Sequence, residues 1–335
     1  MNHRIPRSTT NPMQPERTRL QILAMPLALL AAGNVFAQGA YPSRPIHMIV
    51  PFPPGGGIDA AARPFAEKLA AVLGQPIIID NRPGAGGNIG AEMAAKAAPD
   101  GYTIMFCNEF LSTNPNLYKS LRYDSLRDFT PIAKVSSAAV GIAVHPSVPA
   151  TTLKELITLS QSQNINFSTP GIGTGPHLFG EFLNQRTGSK FRHIPYKGSA
   201  PAITDAIGGQ VQVVITTLAP MVQHINAGRL RGLAVGGDVR SSQVPNVPTL
   251  AEAGLPNSRY DNWYGLVAPV GLPEPVLRRL QQATMQALAD PDLQDRMRKG
   301  GYEPDARPPE ALTALIQADM ARWARVVQEA NIPRE

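Results

Sequence analysis

Two glycine-rich segments offer the clearest chemistry in this chain. They are Pro51-Phe52-Pro53-Pro54-Gly55-Gly56-Gly57-Ile58-Asp59 and Ser168-Thr169-Pro170-Gly171-Ile172-Gly173-Thr174-Gly175. Each lies between an apolar, strand-like run and a helix-like stretch. A helix N-terminus there presents free N–H groups and a partial positive charge, and glycines let an anion come close. The prolines at 51, 53 and 54 stiffen the first approach, while Gly55, Gly56 and Gly57 present donors without side chains. In the second segment Ser168, Thr169 and Thr174 add hydroxyls, which suits a carboxylate accepting several hydrogen bonds. His177 falls in the first turn of the helix that follows, either as a structural hydrogen-bonder or as a ligand contact.

Asp59 sits where an N-cap is expected, its carboxylate on the first-turn amides. The other role open to it is to meet a ligand's ammonium group. Asn81-Arg82-Pro83-Gly84-Ala85-Gly86-Gly87-Asn88 is a similar strand-to-helix turn, with Asn88 as its expected cap and Arg82 paired at the surface. Tyr196-Lys197-Gly198-Ser199 is another, with Ser199 as cap. Lys197 either brings a positive charge to the site or is simply solvated.

Several chemistries are disfavoured. Neither Gly84-x-Gly86 nor Gly171-x-Gly173 continues into a dinucleotide fingerprint, because Ile89 and Pro176 occupy the third glycine position. No Gly-Lys-Ser/Thr ending marks a phosphate loop. The histidines at 3, 47, 145, 177, 193 and 224 lack metal-ligand spacing, and no Gly-x-Ser-x-Gly elbow occurs. Cys107 at a strand end reads as a buried free thiol rather than a nucleophile. No cofactor, metal or catalytic group is expected.

The elements that must position these loops alternate along the chain. His47 to Val50, Pro76 to Asp80 and Tyr102 to Cys107 read as buried strands, with helices over Ala60 to Leu73 and Asn88 to Ala97 between them. Residues 110–135 look irregular, punctuated by Pro115 and Pro131. Ala138 to Val144 is a strand, after which alternation restarts through strands at 165–167, 191–195, 211–216 and 231–235. Helices fall at 153–160, 177–186, 200–207 and 221–227. A strand over Asn262 to Ala268 precedes three helical stretches, Glu274 to Ala289, Asp292 to Lys299 and Pro309 to Ala330. The pattern predicts an α/β protein. One domain would comprise residues 38–140 plus 262–335 and the second 141–261, with chain crossings near 140 and 260. Two crossings make a hinge over a cleft.

Residues 1–37 read as a secretory signal peptide. Arg4, Arg7, Arg17 and Arg19 form a basic leader, Leu20 to Ala32 an apolar core, and Val35-Phe36-Ala37 a cleavage site before Gln38. The remaining 298 residues carry 27 Lys and Arg (31 less 4) against 24 Asp and Glu (25 less 1). That balance, with no basic stripe interleaved with aromatics, argues against nucleic-acid binding. A single cysteine permits no internal disulfide, which fits an exported protein whose fold rests on packing. A periplasmic, monomeric protein is expected.

The motifs together resemble a known family. Tyr41-Pro42-Ser43-Arg44-Pro45-Ile46 and the first glycine loop resemble the start of mature Bug-type receptors, the periplasmic solute-binding proteins of tripartite tricarboxylate transporters. The likeness continues at 81–88, at Pro99-Asp100-Gly101-Tyr102-Thr103, at 171–178, at Pro195-Tyr196-Lys197-Gly198 and at Gly208-Gly209-Gln210-Val211. It recurs at Val247-Pro248-Thr249-Leu250-Ala251-Glu252-Ala253-Gly254 and Trp263-Tyr264-Gly265.

The resemblance implies a type II periplasmic-binding-protein fold, no catalysis, and permease subunits as partner. It also implies a small carboxylated ligand such as an organic, amino or aromatic acid. Transferred to this chain, the site comprises Phe52, Pro54, Gly55, Gly56, Gly57 and Asp59 from the first loop. Asn108 and Glu109 follow the third strand. Ser168, Thr169, Gly171, Gly173, Thr174 and His177 come from the second loop, and Tyr196, Lys197 and Thr216 complete it.

Three departures bear on the ligand. Pro170 removes one donor. Gln212 and Thr216 stand where acids are usual, and Glu109 stands where small or hydroxyl residues are usual. A Glu109 facing the cleft predicts a ligand bearing an amine or amide rather than a bare polyanion. A periplasmic sensor with a signalling partner, or an α/β enzyme, are the alternative readings, and the latter needs an acid–base pair the sequence does not display.

Overall fold

The computed structural model describes residues 1–3, 41–258, 260–329, 331, 332 and 334. The expected leader beyond His3, with its cleavage point, lies outside the described residues. Alternating apolar and amphipathic segments build β1 (Ile46–Val50), α1 (Gly57–Leu73), β2 (Ile77–Asn81), α2 (Asn88–Ala95) and β3 (Thr103–Asn108). β1 pairs in parallel with both β2 and β3. α1 buries Ile58, Ala61, Ala62, Phe65, Ala66, Leu69 and Leu73, an apolar stripe at helical spacing. Phe65 and Leu69 are wholly buried against this core, each contributing about 1.5–3 kcal/mol. Gly74 ends α1 in the left-handed conformation that glycine adopts without strain.

α3 (Phe110–Leu117) follows β3 directly, and β4 (Phe129–Val144) is 16 residues long. Next come α4 (Leu153–Leu159), β5 (Ile165–Thr169), α5 (Gly175–Thr187), β6 (Phe191–Pro195), α6 (Ser199–Ile207), β7 (Val213–Thr217), α7 (Val222–Asn226) and β8 (Arg231–Val235). A capping box of Thr152 and Glu155 starts α4. The chain ends with β9 (Asp261–Pro269), α8 (Glu274–Leu288), α9 (Pro291–Lys299), β10 (Glu303–Arg307) and α10 (Pro309–Glu329).

The strands run β2-β1-β3-β9-β4-β7-β5-β6, with β8 and β10 also paired to β4. β4 is the shared element. Its first part, to Ala139, pairs antiparallel with β9 and β10, and its second, from Val140, with β7 and β8. β3 meets β9 antiparallel, whereas β5 joins β6 and β7 in parallel. The carboxyl ends of β1, β3 and β5 therefore open onto helix N-termini, where α/β sheets bind ligands.

Several expected boundaries need correction. The strand expected over Ala138 to Val144 begins nine residues earlier, at Phe129. Pro131 is accommodated because the pairing with β9 shifts register beside it. The stretch expected to be irregular contains α3, with Pro115 inside it. β10, antiparallel to β4, was read as turn between helices. The three expected caps all miss their place by one residue or more. Gly56, Gly87 and Gly198 occupy the N-cap positions, so Asp59, Asn88 and Ser199 lie inside their helices.

Candidate functional site

Four strand-to-helix junctions converge on one cavity of about 140 Å³. The β1–α1 loop contributes Phe52, Pro53, Pro54 and Gly55 to Ile58. From the β3–α3 junction come Asn108 and Glu109, and from the second glycine loop Pro170, Thr174 and Pro176. The β6–α6 junction adds Lys197 to Pro201, and Thr217, Asn262 and Tyr264 close the remaining side.

Asp59 explains how the first loop holds its shape. Its buried carboxylate accepts the Gly55 N–H (2.9 Å), the Arg63 guanidinium (2.8 and 2.9 Å) and the Asn81 amide (3.0 Å). The same Asn81 amide donates to the Phe52 carbonyl at 3.0 Å. Burial alone would raise the Asp59 pKa, but the bonds from Arg63, Gly55 and Asn81 outweigh it and hold the group below its ordinary range. Asp59 is thus neither an N-cap nor a lining residue: it is the loop's internal anchor. The Gly55 N–H is spent on it, leaving the amides of Gly56, Gly57 and Ile58 as first-turn donors. Gly57 fits because a Cβ there would come within 3.3 Å of Thr217 Oγ1 and 3.4 Å of Tyr264 Oη.

The hydroxyls of the second loop are spent internally. Ser168 Oγ donates to the carbonyls of Ala202 (3.1 Å) and Val213 (3.3 Å). Thr169 Oγ1 and His193 Nε2 share a 2.6 Å hydrogen bond, and Thr174 Oγ1 donates to the Gly171 carbonyl at 2.8 Å. The Gly173 N–H donates to His177 Nδ1 at 3.1 Å, which places the proton of a neutral His177 ring on Nε2. Burial lowers the His177 pKa to about 4; burial and then His177 lower that of His193 to about 3. Thr113 Oγ1 of α3 donates to the Gly173 carbonyl at 3.1 Å, tying this loop to α3.

At the β6–α6 junction Tyr196 Oη donates to Asp205 at 2.6 Å, and burial followed by that bond pushes its pKa up to about 12. Ser199 Oγ and Thr216 Oγ1 are 2.9 Å apart, both buried. Behind the cavity, Tyr260 Oη donates to Asn262 Oδ1 (2.9 Å) and the Asn262 amide donates to Thr217 Oγ1 (3.1 Å). Lys197 is exposed at the rim and makes no ion pair among the described residues.

Of the residues expected at the site, Phe52, Pro54, Gly55, Gly56, Gly57, Asn108, Glu109, Thr174 and Lys197 line the cavity. Asp59, Ser168, Thr169, Gly171, Gly173, His177, Tyr196 and Thr216 stand behind it, where they shape the loops. Sequence reasoning passed over Ser199 to Pro201, Thr217, Asn262 and Tyr264 as lining. Ser199 had been assigned a capping role, and Tyr264 had been seen only within the Trp263-Tyr264-Gly265 motif. Asn262 and Thr217 carried no local signal, because their place comes from the pairing of β4 with β7 and β9.

Among the described residues, no group of three or more His, Cys, Asp or Glu is placed to hold a metal. None of the described helices is long and apolar enough to cross a membrane. Cys107 is fully buried, its thiol against the Gly265 carbonyl at 3.4 Å, and burial pushes its pKa well up.

Known proteins resemble this chain along most of its length. The model of the tripartite tricarboxylate transporter family receptor matches residues 61–332. Protein BugT of Bordetella pertussis is 34% identical over 316 residues, covering 93% of this chain and 97% of that protein. The solved structure of periplasmic binding protein BugD superposes with a TM-score of 0.82 at 35% identity, over 88% of this chain and 100% of that one. R. palustris Rpa4515, solved with adipate, gives 0.83 at 32% identity with the same coverage. The fold is that of the periplasmic binding proteins.

Proposed function

The chain belongs to the tripartite tricarboxylate transporter receptor family, and from that premise we propose that it captures a small carboxylated ligand in the cavity between the β1–α1, β3–α3 and β6–α6 junctions. It then delivers the ligand to membrane permease subunits. The observation that carries this reading is the convergence of helix N-termini. First-turn amides at Gly56 and Gly57 on α1, and at Ser199 and Ala200 on α6, border one cavity with the rim cation Lys197. Such an arrangement stabilises a carboxylate through charge-assisted hydrogen bonds.

The adipate held by the relative of known structure supports a carboxylate as the cargo. The pairing of β4, which changes partners between Ala139 and Val140, supports two domains of residues 38–140 plus 262–335 and 141–261. Closure would turn about β4 and the start of β9. The protein acts as a monomer without catalysis, in the periplasm, after removal of residues 1–37.

The test is a thermal-shift screen of organic, amino and aromatic acids against the exported protein. A ligand that binds only the folded state at a hundred times its Kd adds about 2.7 kcal/mol. A rise in melting temperature with at least one carboxylate, without turnover, is expected. No response to any carboxylate, or conversion of one, would overturn the reading.

A further inference from the structure

Glu109 is out of character with the rest of the cavity. It follows β3 directly, only 3% exposed, and lines the cavity beside Asn108. Among the described residues its Oε2 has no hydrogen-bond partner. Gly175 at the start of α5 packs so close that a Cβ there would stand 3.0 Å from Glu109 Cγ. A buried carboxyl oxygen left without a partner is costly unless a ligand completes it.

We propose that Glu109 is the specificity-determining residue of this cavity, selecting a ligand that carries an ammonium group together with its carboxylate. The proposal rests on the receptor reading above. Charge complementarity carries it. Among the described residues the lining holds one cation, Lys197, and one acid, Glu109, and no ion pair joins the two. A zwitterion satisfies both, with its carboxylate on the helix N-termini and its ammonium on Glu109. A plain dicarboxylate offers no cation to draw the proton off Glu109, so it leaves the acid neutral and without an ion-pair partner.

The groups around Glu109 do not supply the missing partner. Among the described residues, Cys107 on β3, Tyr260 and Tyr264 toward β9, and Asp319 on α10 are the titratable groups that face it, and none of them is cationic. The Tyr260 hydroxyl already donates to Asn262, and the Arg322 guanidinium lies over the rings of Tyr260, 5.9 Å from its centroid, and Trp323, at 4.7 Å. Burial first, and then Asp319, push the Glu109 pKa up to about 8, with the backbone N–H groups of Glu109 and Gly175 opposing. At neutral pH the empty site therefore holds a proton on this carboxyl. A bound ammonium favours the carboxylate, and the displaced proton leaves to solvent.

The experiment is calorimetric titration of the exported protein in buffers of different ionisation heat. The probes are β-alanine, γ-aminobutyrate, δ-aminovalerate and the common α-amino acids. Each is paired with its isosteric diacid (succinate, glutarate, adipate) or its des-amino acid. The expected result is at least one amino compound bound about tenfold or more tighter than its partner, with net proton release at pH 7. Glu109→Gln should erase that preference while remaining folded, and Glu109→Ala should do the same if the glutamine variant is unstable. Plain acids that bind as tightly as their amino partners, without proton release and equally in both variants, would overturn the proposal and leave the receptor reading standing. Failure of every carboxylate to bind would remove both.

Discussion

The imidazole rings of His177 and His193 stack 3.9 Å apart with 19° between their planes, and burial keeps both uncharged. They lock the second glycine loop, His177 through the Gly173 amide and His193 through Thr169. Both pKa values are lower in the folded protein than in the unfolded chain, so the unfolded chain binds more protons in acid. Their contribution is complete above the ordinary pKa of 6.5 and is lost as pH falls through about 4 to 3. Melting curves between pH 7 and 4 should show a loss of at least about 2 kcal/mol. His193→Phe, which preserves the stack without a titrating ring, should flatten that dependence; an unchanged slope would contradict the assignment.

Glu109 has the opposite sign. Its folded pKa of about 8 exceeds the ordinary 4.5, so the folded state holds the extra proton and loses stability as pH rises between those values. Glu109→Gln removes the titration while keeping the shape. The variant should therefore gain on the wild type with rising pH, by roughly 2–4 kcal/mol at pH 8–9 in the absence of ligand. Denaturant unfolding at pH 5 and pH 9 measures the gap, and parallel curves would count against a buried, unpaired carboxyl.

Asp59 should behave as an anchor. Replacing it with alanine strands the Gly55 N–H and the Asn81 amide, at a cost of roughly 2–3 kcal/mol. Because its folded pKa is lowered, the wild-type contribution is present above the ordinary 3.8 and fades as pH falls through the folded value. Ligand affinity in Asp59→Ala should drop through loop disorder. Hydrogen exchange of the amides at 55–58 would then speed up without ligand present. Exchange that stayed protected would mean the loop is held by something else.

Two glycines separate stability from binding. Gly175 is packed so tightly that a Cβ would fall 1.5 Å from Tyr260 Oη, so Gly175→Ala should cost roughly 3 kcal/mol in denaturant unfolding. At Gly56 the nearest atom to a Cβ is the Pro53 carbonyl oxygen at 3.6 Å, and the backbone is extended. Gly56→Ala should therefore fold with a penalty under about 1 kcal/mol, mainly from the changed N-cap. Its methyl at the cavity wall should nonetheless weaken ligand binding about tenfold, read by titration calorimetry.

What could be read in the sequence was mostly local. The glycine loops announce themselves because strand, loop and helix are contiguous, and periodicity marks α1 and α5 without tertiary information. The long strand β4 was truncated because its first part interrupts apolar alternation with Pro131 and Lys134, whose places are fixed by partners at Val267 and Gly265. The hydroxyls of Ser168 and Thr169 looked like ligand donors because sequence reveals their chemistry but not their partners, the Ala202 carbonyl and His193. Glu109 is the converse case. Its oddity was visible in the chain, while its burial and missing partner required the packing of α5 and β9 around it.

In the proposed function a carboxylate rests on the first-turn amides bordering this cavity. A crystal structure of the protein with its tightest-binding acid tests it most directly. Carboxylate oxygens are expected about 2.7–3.1 Å from backbone nitrogens of Gly56 and Gly57 or of Ser199 and Ala200. A carboxylate bound elsewhere, for instance in the hollow beside Arg231 and Asn246, with these amides left to solvent, would contradict it.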